Sequence, residues 1–153
     1  MPDIEHLRLR YARLFADEPA EQTVVRVIES ALGLCLPDDF KRVSEFFRGG
    51  FLGGKSHHAI AVTSRATNIV DDTLRLRMTV ALPPRFVVIA EPAASLIVME
   101  CIGKNSRVIW CDASDVRKLS QPQSLRAPQI WSSYSQFFDY LLAEEESERN
   151  EST

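Results

Sequence analysis

Cysteine is scarce in this chain: Cys35, Cys101 and Cys111 are the only three, at irregular spacing. An odd, thin set argues against a disulfide framework and suits reduced, packed thiols. No apolar run approaches the ~20 residues that a membrane-spanning helix needs. No dense Lys/Arg block offers the electrostatic footprint of a nucleic-acid binder. The start, Met1-Pro2-Asp3-Ile4-Glu5, is acidic and lacks the basic-then-apolar layout of a secretory signal. Together these absences predict a cytoplasmic protein with neither a membrane nor direct nucleic acid as its partner.

What is present fits one folded unit. The 153 residues are 45% hydrophobic, enough for a single core. The net charge of −3 is unevenly spread. Residues 139–153 carry six acids against Arg149 alone, a local charge of −5, which leaves +2 for the remainder. The expected organisation is one domain over 1–146 and an acidic, flexible, solvated tail over 147–153.

Hydrophobic spacing lays out the elements. Ile4, Leu7, Tyr11, Leu14 and Phe15 form one helical stripe over 4–15. Val24, Val25, Ile28, Ala31 and Leu32 form another over 20–32, with Gly33 as terminator. A short helix opens at Pro37 or Asp38 and buries Phe40, Val43, Phe46 and Phe47. Residues 58–63 read as a strand. A helix over 67–81 is expected to share Val70, Leu74, Met78 and Ala81 on one face, with Asp71 and Arg75 spaced for an ion pair. Pro83-Pro84 ends it.

The pattern then turns to short, branched, apolar runs. Phe86–Ala90, Leu96–Ile102 and Arg107–Cys111 predict successive antiparallel strands, the last two joined at Gly103-Lys104-Asn105-Ser106. Residues 112–131 read mostly as loop. A last helix begins near Ser133, where Ser133 and Gln136 match a capping box, and Phe137, Phe138, Leu141 and Leu142 form its apolar stripe.

Candidate chemistry is thin. Gly49-Gly50-Phe51-Leu52-Gly53-Gly54-Lys55-Ser56 literally matches the phosphate-loop expression. A phosphate loop, however, links a strand to a helix so that backbone amides surround the phosphate, and here a helix precedes and a strand-like run follows. A nucleotide-binding enzyme that uses Gly49 to Ser56 stays as an alternative. Cys101, Cys111, His57 and His58 are the best metal candidates but lack the close pairing of structural zinc sites. Adjacent carboxylates Asp38-Asp39 and Asp71-Asp72 point about 100° apart on a helix, so neither pair forms a facing catalytic dyad. No catalytic, cofactor-binding or metal-binding residue is assigned, no cofactor is expected, and the chain is read as a non-enzyme. Trp110, Trp131 and Tyr134 offer aromatic anchors for a protein partner, and Glu91, Asp112 and Asp115 offer acidic complementarity. An exposed strand edge leaves homo-oligomers open.

The ordered features resemble the SMI1/KNR4 family, also called the SUKH superfamily. Its helix, Leu-Gly-x-x-Leu-Pro-x-Asp-aromatic segment and Gly-Gly exit correspond to Leu32 through Phe40 and then Phe47-Arg48-Gly49-Gly50. The later pattern resembles Leu82-Pro83 through Glu91, then Ile109-Trp110-Cys111-Asp112 and the Ser135-to-Leu142 helix. The resemblance covers roughly residues 20–146. Where many members have a glycine-rich acidic turn, this chain carries Glu91-Pro92-Ala93-Ala94-Ser95. The resemblance implies an α+β fold, a central, largely antiparallel sheet flanked by helices. It also implies an immunity protein that neutralises a toxin domain, often a nuclease, by stoichiometric binding. The family's other members are similar to regulatory or scaffolding proteins that bind endogenous partners, which is the alternative binding role.

Overall fold

A computed structural model describes residues 2–63 and 66–151. The chain is α+β, and its elements follow from local signals. Helix α1, Ile4–Leu14, starts where the Asp3 carboxylate accepts the Glu5 amide, and it buries Ile4, Leu7 and Tyr11. Helix α2, Val24–Leu32, begins where its apolar stripe does, four residues into the expected range of 20–32. It ends on Gly33, whose φ of +68° places the left-handed residue at a helix terminus. Helix α3, Asp38–Val43, opens after Pro37. The turns that follow it bury Phe46 and Phe47, which pack with Phe40 in the main core.

A small hairpin comes next. Strands β1, Gly50–Leu52, and β2, Lys55–His57, pair antiparallel, with Gly53 and Gly54 between them. The strand expected over 58–63 is therefore displaced towards the N-terminus; beyond it, Ala59 makes only an isolated bridge to Asn68. Helix α4, Ile69–Val80, is capped by Asn68, whose side chain accepts the Val70 and Asp71 amides. Its buried face is Ile69, Val70, Asp72, Thr73 and Leu76. The buried face is rotated from the expected one: Leu74 is 41% exposed and Met78 is 88% exposed. Polar Asp72 and Thr73 take inward places because each has a partner there. The Thr73 hydroxyl accepts the Val88 amide, and Asp72 accepts the Asn68 amide and the Arg75 guanidinium.

Strands β3, Phe86–Ala90, β4, Ser95–Glu100, β5, Val108–Asp112, and β6, Gln129–Trp131, form one antiparallel sheet in sequential order. The β6 strand and two 3-10 helices, Ala113–Ser120 and Pro122–Ser124, lie in the stretch expected to be mostly loop. The three-residue β6 and Pro122–Ser124 are too short to leave a periodic signal. One sheet face, with Val87, Ile89, Ile97, Met99 and Val108, packs into the core made by α1, α2, α3 and the last helix, α5, Tyr134–Glu151. The opposite face, with Val88, Leu96, Val98, Ile109 and Cys111, meets Leu76, Leu82, Val116, Leu119 and Leu125. Pairing shifts at β3, where Val88 opposes Val98 but Ala90 opposes Ile97, so Ile89 is an extra residue. This bulge turns both Ile89 and Ala90 towards the main core.

The α5 helix buries Phe137, Phe138, Leu141 and Leu142 as the sequence predicts. Its cap is half the expected box. Ser133 Oγ accepts the Gln136 amide, but the Gln136 side chain reaches the Ser132 amide one residue earlier. The helix runs on to Glu151, so residues 147–151 are helical where a flexible tail was expected; Ser152 and Thr153 lie outside the described residues. Local pairing explains the extension. Arg10 reaches both Asp139 and Glu146, Arg149 pairs with Glu145, and the Arg149 guanidinium sits 4.8 Å from the Phe15 ring centre. Asp139 and Glu146 thus clamp α5 to α1, while the Glu145–Arg149 pair supports the helix internally. Among the described residues, no helix is long and apolar enough to cross a membrane.

Candidate functional site

The outer end of the sheet brings several singled-out residues around the β3–β4 turn. That turn keeps Ala94 at φ +58°, a left-handed backbone that a glycine takes at no steric cost. Its Pro92 carbonyl accepts the Ser95 amide, and its Ala94 carbonyl accepts the Ala113 amide, so the turn is tied to the strand after it and to the first 3-10 helix.

Trp110 projects from β5 beside this turn and is half-buried. Its indole N–H donates to Ser95 Oγ at 2.8 Å, and the Ser95 hydroxyl donates on to the Pro92 carbonyl at 3.3 Å. The Lys55 ammonium, at the start of β2, lies 5.0 Å from the ring centre. Asp112 follows on the surface and caps the 3-10 helix through the Ser114 amide and hydroxyl. Those two hydrogen bonds, aided by the Arg126 charge, hold its carboxyl below the ordinary value. A cleft of about 420 Å³ runs between the turn and β6, with Trp110, Asp112, Ala94 and Gln129 in its walls.

Glu91, one residue past β3, closes the other side of the turn within an ion-pair cluster. It accepts His58 Nε2 at 2.9 Å and both its oxygens lie 2.6 Å from the Arg75 guanidinium. The same guanidinium reaches Asp72 at 3.1 Å. Asp71, the expected partner of Arg75, instead accepts the Asn68 side-chain amide. The β3 bulge sets this arrangement: the carbonyl of the extra residue Ile89 accepts the His58 amide at 2.7 Å, which brings the imidazole beside Glu91. A second opening, about 590 Å³, borders His58, Glu91, Lys55 and Thr67.

The remaining predicted contact residues lie elsewhere. Trp131 is half-buried on β6, 4.9 Å from Phe137 and 5.1 Å from Tyr140 between ring centres, so most of its surface supports α5. Asp115 is nearly fully buried; burial raises its carboxyl, but hydrogen bonds from Arg126 and the Arg126 and Lys118 charges bring it below the ordinary value. Tyr134 is 0% exposed and belongs to the core, where its ring meets Phe40 at 4.8 Å and its hydroxyl faces His57 Nε2 at 2.9 Å. Neither Asp115 nor Tyr134 offers surface to a partner in this fold. An aromatic next to a helix cap looks the same in sequence whether it faces in or out, so this distinction has no local signature.

The metal candidates separate in space. Cys101 and Cys111 are buried, and burial pushes their thiols up to about 12 and about 11. His57 is locked between the His58 carbonyl and Tyr134. Of these four, His58 is the one within hydrogen-bond distance of a carboxylate, and the group it joins has no motif spacing because its members sit at positions 58, 72 and 91. No model of a known protein family matches the chain, and no curated protein matches it either.

Proposed function

We propose that this chain is a protein-binding immunity protein that neutralises a toxin domain, such as a nuclease, by stoichiometric binding. The observation that carries the reading is the half-buried Trp110, fixed by its bond to Ser95 and bordered by Lys55 and Asp112. A pre-oriented aromatic with a charged rim loses little entropy on binding and concentrates contact energy. Exposed Asp112, held ionised by Ser114, supplies negative charge to a basic surface of the kind a nuclease presents to nucleic acid, while Glu91 across the turn is already balanced by Arg75. The α+β fold with its antiparallel sheet agrees with what the SMI1/KNR4 resemblance implies. Inhibition in this reading needs no turnover: about 800 Å² of buried surface on each partner is enough to cover a catalytic cleft.

Capture from native-cell and co-cultured competitor lysates, with tagged protein and mass spectrometry, tests the proposal. A toxin domain recovered in one-to-one ratio, whose activity disappears in the complex, supports immunity. Recovery of only endogenous regulatory or envelope proteins replaces it with the scaffolding role.

A further inference from the structure

Two carboxylates and an imidazole converge at the bulged end of β3. His58 Nε2 and one oxygen each of Asp72 and Glu91 lie within 4.8 Å of one another. His58 Nε2 is 2.9 Å from Glu91 Oε2 and 4.0 Å from Asp72 Oδ2. A divalent ion with bonds of about 2.1 Å sets neighbouring donors about 3–3.5 Å apart, so these separations bracket the required geometry. The outer contacts are also in place. His58 Nδ1 is 2.7 Å from Thr67 Oγ1, which fixes the ring and accepts its N–H when Nε2 offers a lone pair, and Asp72 Oδ2 is held by the Asn68 amide. His58 and Asp72 are buried, while Glu91 borders the 590 Å³ opening, which gives an ion a route in and room for water ligands.

The cation now balancing the carboxylates is Arg75. Its side chain is 47% exposed at the surface of α4, so it can leave towards solvent without breaking the core. We infer that His58, Asp72 and Glu91 form a binding site for a divalent transition-metal ion, in which the ion and the Arg75 guanidinium compete for the same two carboxylates. One nitrogen and two oxygen donors fit Zn²⁺, Mn²⁺ or Fe²⁺ better than Ca²⁺, which takes oxygen ligands. The site ties the segment after β2 to α4 and β3, and it stands independently of the partner-binding proposal.

Calorimetric titration of ZnCl₂ and of MnCl₂ into the full chain tests it, with Arg75→Gln and Glu91→Gln alongside. The expected result is one ion per wild-type chain, at least tenfold tighter binding after Arg75→Gln, and at least tenfold weaker binding after Glu91→Gln. Circular dichroism confirms that each variant is folded. Should Arg75→Gln not fold, the wild-type and Glu91→Gln titrations decide. No saturable one-to-one binding of either ion to the wild-type chain overturns the inference, as does an affinity that Glu91→Gln leaves unchanged.

Discussion

The Lys55 ammonium lies 5.0 Å from the centre of the Trp110 ring, so the lysine that completes the phosphate-loop expression faces an indole. The glycines around it have structural tasks as well. A Cβ on Gly49 would lie 2.5 Å from the His58 carbonyl oxygen, and one on Gly53 would lie 2.5 Å from the Leu141 carbonyl oxygen. The Gly53 amide, which a phosphate loop would aim at its ligand, donates to Glu145. A hairpin packed edge-on against α5 produces the same letters as a phosphate cradle. The wild-type chain is accordingly expected to show no saturable ATP or GTP binding by fluorescent-nucleotide titration. Affinity that disappears in Lys55→Ala would restore the nucleotide-enzyme reading.

Gly53→Ala tests the packing role directly. The backbone there has φ +59°, and the added methyl meets main chain on α5 that cannot step aside. The expected cost is about 2–3 kcal/mol in a urea denaturation series. Gly54→Ala shares the positive φ but meets only the Glu148 side chain at 3.6 Å, and is expected to cost about half as much. Equal stability of Gly53→Ala and wild type would contradict the close approach.

Acid sensitivity should centre on His57. Burial pushes its imidazole down from 6.5 to about 4, against the hydrogen bond to the His58 carbonyl that favours the charged form. The folded chain keeps this ring neutral where the unfolded chain takes up a proton. Its contribution is therefore complete above pH 6.5 and is lost as pH falls from 6.5 towards 4, by about 3 kcal/mol in all. Denaturation midpoints measured across this window should fall with pH, and His57→Gln should flatten the slope between pH 6.5 and 5. An unchanged slope would assign the acid sensitivity to other groups.

The sequence disclosed the elements with strong periods and clear stops. Gly33 ends α2, Pro37 opens α3, and the branched runs from Phe86 to Asp112 become adjacent antiparallel strands. The buried face of α4 departs from its apolar period because Asp72 and Thr73 point inward to polar partners, whereas apolar Leu74 and Met78 point outward. Period alone cannot signal that inversion. The pairing of Arg10 with Asp139 and Glu146 spans more than 120 residues of sequence, so no local spacing announces it. Glu91, Trp110 and Asp112 do gather around one turn, while the cluster linking Glu91 to His58, Asp72 and Arg75 depends on a one-residue bulge at Ile89 that leaves no mark in composition or spacing.

The most direct test of the partner-binding account is an inhibition titration of the captured toxin domain, with wild type and Trp110→Ala compared. The account predicts that wild type abolishes activity at one chain per toxin domain. It also predicts that folded Trp110→Ala binds at least tenfold more weakly, the effect of removing a central aromatic anchor. Full toxin activity in the presence of excess wild-type chain would contradict the account, and equal potency of the two proteins would remove Trp110 from the interface.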